Sequence, residues 1–193
     1  ELASGLDSNN FQLNIPKQQI TLNSQLWEVE DSVLLIYNLK DEKVYPRLRM
    51  QSDSASIHFY STDADSLHQY ICEFDKVFFE SLIRGSLIPG YPKGIISGQL
   101  SYGLNEDAER KINTDLLFNN IEWNDVGFGV ISLDGYLNSD TAGSFEVNML
   151  TRIDSSEIKV EFMQIAEESR SLSTEFSSFP LAVVQPFVKN QVS

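Results

Sequence analysis

Two histidines, one cysteine and 28 carboxylates are the residues of this chain best equipped for chemistry. His68 and Cys72 stand four positions apart, which on a helix brings an imidazole and a thiol onto one face. No cysteine-nucleophile signature surrounds them, and a packed helix Cys beside an incidental His explains the pair. His58 has no Gly-x-Ser-x-Gly elbow nearby. Asp63 with Asp65, and Asp134 with Asn138 and Asp140, offer oxygen ligands. Neither run has the glycine and terminal Glu of a calcium loop, and turn chemistry accounts for Asp and Asn there. Gly127-Phe128-Gly129 lacks the third glycine and the following helix of a phosphate loop. These readings assign no catalytic residue, no metal ligand and no cofactor. A hydrolase using two carboxylates across a cleft stays open as the lesser alternative.

The charge balance narrows the partners. With 28 acidic and 14 basic residues the net charge is −14, and the basic residues are scattered apart from Arg47 with Arg49 and Arg110 with Lys111. Phosphate backbones bind clustered Lys and Arg, so nucleic acid is not an expected partner. Cys72 is the sole cysteine, which excludes a disulfide scaffold. No apolar run approaches the length of a membrane span. The first residue is Glu1, which suggests a processed protein or a piece of a longer one, and any anchor would have been lost with the cut. A chain of 193 residues fits one domain able to bury roughly 70% of its unfolded surface.

The elements that would position these residues are mostly strands. Residues 1–10 are polar and read as a frayed lead-in. Phe11, Leu13 and Ile15 alternate with polar residues, Pro16 interrupts, and Ile20 and Leu22 resume the pattern. Val33–Leu39 is a dense apolar run expected to be covered on both faces. Val44–Met50 and Ser56–Tyr60 follow as hairpin strands. The periodicity then changes: Leu67, Tyr70, Ile71, Phe74, Val77, Phe78 and Leu82 fall at three- and four-residue steps. That spacing predicts a helix over about 64–84, dividing an N-terminal from a C-terminal set of strands.

Strand patterns return at Ile95–Leu104 and Lys111–Phe118, with a bulge expected at Asn119-Asn120. A phase slip divides Val126, Phe128 and Val130 from Ile131 and Leu133. Phe145, Val147 and Met149 alternate with polar residues, as do Ile158, Val160 and Phe162. Ile165–Leu172 reads as a short helix or loop, Ser173–Phe176 as a last strand, and Phe179–Phe187 as an extended apolar segment. The fold class is therefore mainly β: an antiparallel, strongly curved sheet or a β-sandwich, with one helix packed against it, over a single domain 1–193.

The segments KGIISGQLSYGL, INTDLLFNNIEW, VGFGVISLDGYL and SFEVNML, with Gly-x-Leu marks at Gly98-Gln99-Leu100 and Gly135-Tyr136-Leu137, resemble the repeating strands of AsmA-like bacterial envelope proteins of the TamB and YdbH type. The resemblance spans about residues 70–165. Leu26-Trp27 is similar to a mark in the periplasmic secretion accessory protein GspN, without the small residues usual around it. The AsmA-like resemblance implies a β-sheet folded over like a taco, anchored in the inner membrane and carrying phospholipid through the periplasm. The chain is far shorter than the full-length bridges.

On that resemblance the expected function is non-enzymatic: binding or conducting phospholipid, or joining another envelope protein in an assembly, on the periplasmic side of the envelope. Phe145, Val147, Met149, Ile158, Val160 and Phe162 are then the candidates for an apolar groove, or for a closed core. The alternative is a β-sandwich module binding protein or glycan through exposed aromatics, with Trp27, Tyr102 and Trp123 as contacts.

Overall fold

A computed structural model describes residues 3–7, 9–64, 67–82, 93–105, 109–123, 126–140, 144–153, 156–165 and 169–177. Alternating apolar residues and short polar turns organise these into one antiparallel sheet. Its strands are β1 (Ala3–Asp7), β2 (Asn10–Ile15), β3 (Gln19–Leu22), β4 (Gln25–Asn38), β5 (Lys43–Ser52), β6 (Ala55–Ala64) and β7 (Leu67–Phe78). After a four-residue helix, α1 (Phe79–Leu82), come β8 (Lys93–Asn105), β9 (Arg110–Trp123), β10 (Val126–Ser139), β11 (Phe145–Ile153), β12 (Ser156–Ile165) and β13 (Ser169–Ser177). Each strand pairs with its neighbours in sequence, except that β2 and β3 share one edge of β4 on either side of Pro16. The sheet does not close into a barrel: β1 and β13 stand at opposite ends of the order. Extensive contacts run between ladder neighbours and from α1 to β7 and β8, so the described residues form one layer and not a sandwich.

Turn chemistry fixes several registers. Asn23 and Ser24 both have positive φ, the geometry of a two-residue hairpin turn, and pair Leu22 with Gln25. Bulges set the bends. Lys76 (φ 51°) marks an extra residue in β7 between Phe74 and Val77, and Asn120 (φ 53°) marks one in β9. Gly98 (φ 120°) lies opposite Phe74, where a Cβ would sit 2.1 Å from the Asp115 carbonyl oxygen. That contact excludes any side chain. The Asn119-Asn120 bulge and the slip before Ile131 fall where the sequence places them.

Three expectations are corrected. The helix over 64–84 is not formed: Leu67–Phe78 is strand β7, and only Phe79–Leu82 is helical. His68, Tyr70, Cys72 and Phe74 point to one face, the bulge returns Val77 to it, and Ile71 lies on the other. The bulge breaks the two-residue period and so imitates helical spacing, while Tyr70, Ile71, Val77 and Phe78 carry the strand preference that prevails. The lead-in is not wholly frayed, because Ala3–Asp7 pairs with Asn10–Asn14. Leu35–Asn38 is half-buried, not covered on both faces. The expectations for Ile165–Leu172 meet β12 and β13 at either end. Phe179–Phe187 lies outside the described residues.

A buried cluster sits at one end of the sheet, and Ile96, Ile121, Phe128 and Ile153 are buried beyond it. Trp27, Val29, Met50, Ala55, Ile57 and Val77 form one buried cluster, with Ile20, Leu22, Leu48, Cys72 and Phe74 against it. Laid flat, β4 and β7 would be about 14 Å apart, three ladder steps. Trp27 and Val77 nevertheless share the cluster, both fully buried, so the sheet curls here. Beyond them α1 closes the end. Asn23 Nδ2 donates to the carbonyls of Glu80 (3.2 Å) and Ser81 (3.0 Å). Ser81 donates to the Gln25 side chain, whose Nε2 donates to Ser52 Oγ at 3.1 Å.

Candidate functional surface: a half-buried apolar face

In an antiparallel ladder, residues in register share a face and pack side by side. Followed from strand to strand, the registers give one largely buried row, Val77, Ile96, Phe118, Ile131, Ile153 and Ser156, and three more beside it on the same face. The first runs Met50, Ile57, Phe74, Gly98, Leu116, Leu133, Thr151, Ile158, Phe176. The second runs Leu48, Phe59, Cys72, Leu100, Thr114, Gly135, Met149, Val160, Thr174. The third runs Tyr70, Tyr102, Ile112, Leu137, Val147, Phe162, Leu172. On the opposite face Arg49, His58, Glu73, Gln99, Asp115, Asp134, Leu150, Lys159 and Glu175 fall in one row, polar at every place but Leu150.

The six groove-or-core candidates are therefore brought together. Val147 faces Phe162, Met149 faces Val160, and Ile158 continues the line through Thr151. Phe145 stacks on Phe162 with ring centroids 4.9 Å apart. All six are half-buried, and none reaches the burial of the Trp27 cluster. On the same face Leu100 is 40% exposed.

The aromatic candidates part company. Trp27 is 0% exposed, correcting its expected role as a surface contact: it shares the phase of Val29 and so points into the core. Its indole N–H has no hydrogen-bond partner there. Tyr102 is half-buried on the apolar face, stacked against Tyr70 at 6.3 Å. Trp123 ends β9, and its side chain lies outside the described residues.

The reactive residues fall into structural roles. As strand residues, His68 and Cys72 are about 13 Å apart along the chain, so the helical pairing of imidazole and thiol is not made. Burial, and then the Glu73 charge, pushes the Cys72 thiol above its ordinary range, the opposite of activation. His68 fills the gap where the β5–β6 ladder stops at Arg47–Tyr60. Its Nδ1 lies 2.9 Å from Asp63 Oδ1 and its Nε2 2.9 Å from the Val44 carbonyl, so both ring nitrogens are within hydrogen-bond distance of an oxygen. Tyr45 and Lys43 also donate to Asp63, at 2.9 and 3.2 Å. Burial would raise the Asp63 pKa, but the bonds from His68, Tyr45 and Lys43 prevail and hold it below the usual carboxylate value. A general acid needs the reverse. Burial and the bond to Asp63 push the Tyr45 hydroxyl up to about 12. No cluster of three or more His, Cys, Asp or Glu able to hold a metal occurs among the described residues.

Sequence reasoning missed this four-residue splice because Lys43, Tyr45, Asp63 and His68 come from three strands, and a predicted helix covered the last. The fold and its faces define a class: a single-layer antiparallel β-sheet with one polar and one largely apolar face. The chain matches no family model, no curated protein and no solved structure.

Proposed function

We propose that this is a non-enzymatic cell-envelope protein that binds phospholipid by its acyl chains along the half-buried apolar face of β8–β13. One observation supports the reading: the rows keep register across β10–β12 while Val147, Met149, Ile158, Val160 and Phe162 remain half-buried, with no second layer over them among the described residues. Uncovered apolar faces of this extent mark ligand or partner surfaces. Burying about ten methylenes contributes about 8 kcal/mol gross, to be set against an association cost of about 4–15 kcal/mol. Headgroups stay at the wet rim, and no covalent step is involved. The envelope setting rests on the resemblance to AsmA-like proteins. Among the described residues no helix is long and apolar enough to cross a membrane.

Native mass spectrometry after mild extraction tests the proposal. Wild-type protein is expected to carry phospholipid, and Val147→Glu with Val160→Glu to lose it while keeping its β-sheet circular dichroism. Lipid-free wild-type protein, or unchanged lipid in the folded double variant, overturns it.

A further inference from the structure

The charges of β8–β13 divide by face. Across residues 96–104, 110–118, 131–139, 145–153, 156–164 and 170–176, every carboxylate falls in the phase of the polar face: Asp115, Asp134, Glu146, Glu157, Glu161 and Glu175. The apolar phase of the same stretches holds no carboxylate, in a chain with 28 acidic residues, and its only charged members are Arg110 and Arg170.

Both arginines stand in one row. Beyond Tyr102, Ile112, Leu137, Val147, Phe162 and Leu172 the register aligns Leu104, Arg110, Ser139, Phe145, Gln164 and Arg170, the border of the face on this side. Arg170 alone would read as the inward-facing charge that blunts a sheet edge. Arg110 is not at an edge, because β9 pairs with both β8 and β10. Lys93, Arg152 and Lys159 of these strands each pair with a carboxylate. Arg110 and Arg170 are exposed, and neither has a hydrogen bond or ion pair among the described residues.

An arginine bordering apolar surface lays its stem along that surface and offers a planar fork of donors at its tip. That fork fits a phosphate through two parallel bonds. From the border the face runs on along β11 (Phe145–Ile153) for about 27 Å at about 3.4 Å per residue. The hydrocarbon of one bilayer leaflet is about 15 Å thick, so a lipid tail fits within that length.

We propose that phospholipid lies along these strands with its phosphate at the Arg110 and Arg170 border and its tails toward the row of Thr151 and Ile158, and that the face selects headgroups of net negative charge. The proposal rests on the acyl-chain reading above. Laid flat, Arg110 and Arg170 are four ladder steps or about 19 Å apart, so each receives its own lipid. A zwitterionic headgroup brings an ammonium beside the guanidinium, and the apolar phase of these stretches has no carboxylate to balance it.

The test is a competition. Protein is incubated with non-ionic detergent micelles holding equal amounts of phosphatidylglycerol and phosphatidylethanolamine with matched acyl chains, and native mass spectrometry counts both bound lipids. Wild-type protein is expected to favour phosphatidylglycerol by at least about threefold, the size of an exposed ion pair. Arg110→Gln with Arg170→Gln is expected to remove the preference and leave total bound lipid unchanged, because the tail contacts remain. Arg47→Gln with Lys111→Gln removes the same charge from the polar phase and is expected to keep the preference. Equal binding of the two lipids by wild type overturns the headgroup assignment and leaves acyl-chain binding standing. A preference that survives loss of both border arginines, or falls equally in the polar-face pair, does the same. Absence of both lipids from wild type overturns acyl-chain binding itself, and the headgroup assignment with it.

Discussion

The two ends of this sheet use the same face differently. At the β3–β7 end the apolar side chains are sealed: the sheet curls, α1 folds across, and Trp27 and Val77 are fully buried. Along β8–β13 these rows continue with Gly98, Thr114, Gly135 and Thr151 interspersed and stay mostly half-buried, while Ile96, Phe128 and Ile153 beside them are buried. The sealed end differs in its unbroken run of large side chains and in a ladder that bends enough for strands three steps apart to share a core. The tight hairpin at Asn23-Ser24, the β7 bulge at Lys76 and the hydrogen bonds from Asn23 to α1 all lie at the sealed end. Stability is expected to concentrate there, and ligand response at the other end.

The strongest way to break that comparison is at Trp27. Trp27→Ala empties the centre of the core and is expected to cost about 3–5 kcal/mol, a large share of a domain's stability. Trp27→Phe also removes the unpartnered indole N–H, and the relief of that buried donor offsets part of the lost packing. Urea denaturation followed by circular dichroism should place Trp27→Phe within about 1.5 kcal/mol of wild type. A mild Trp27→Ala would mean that the sealed end is not the stability centre.

A sharper contrast uses one residue type in one row. Ile57 and Ile158 lie on the same face, linked strand to strand through Phe74, Leu116, Leu133 and Thr151, but Ile57 is 6% exposed and Ile158 half-buried. Ile57→Ala is expected to destabilise by about 2–5 kcal/mol, and Ile158→Ala by about 1 kcal/mol, because a half-open site loses less burial and leaves no closed cavity. Under the lipid reading the ligand effects reverse: Ile158→Ala lowers retained phospholipid and Ile57→Ala spares it in the folded fraction. Equal costs in urea would erase the distinction between the two ends.

The sequence made the open half more legible than the sealed one, for a physical reason. Phe145–Met149 and Ile158–Phe162 keep strict alternation because each is a regular strand with one wet face, so the shared face can be read from spacing. The Asn119-Asn120 bulge was visible because Asn tolerates positive φ. At the sealed end the local rules fail together. A bulge in β7 converts alternation into helical spacing, and Trp27, whose amphipathic ring suits an interface, is placed inside by curvature that no local pattern records. The Lys43, Tyr45, Asp63 and His68 splice was illegible for the same reason: it forms only where the β5–β6 ladder parts.

That splice gives the smallest effect, and the one that separates the curled end from its rim by pH. The Asp63 pKa is lowered on folding from its ordinary value of 3.8. Its contribution is therefore fully present above that value and is lost as pH falls through the folded pKa. For Tyr45 the folded pKa is raised from 10.0 to about 12, so its contribution is complete below pH 10 and lost as pH climbs through about 12. Asp63→Asn should lower the melting temperature by a few degrees at neutral pH, with the gap to wild type closing below about pH 4, near the unfolded carboxyl value. The Asp63 side chain is 49% exposed, and water screening keeps the effect well below that of Trp27→Ala. Melting curves collected from pH 2 to 7 decide it. A gap that persists undiminished at pH 2 would mean that Asp63 acts through the shape of its side chain, and that the ladder gap at His68 is held by packing without help from its charge.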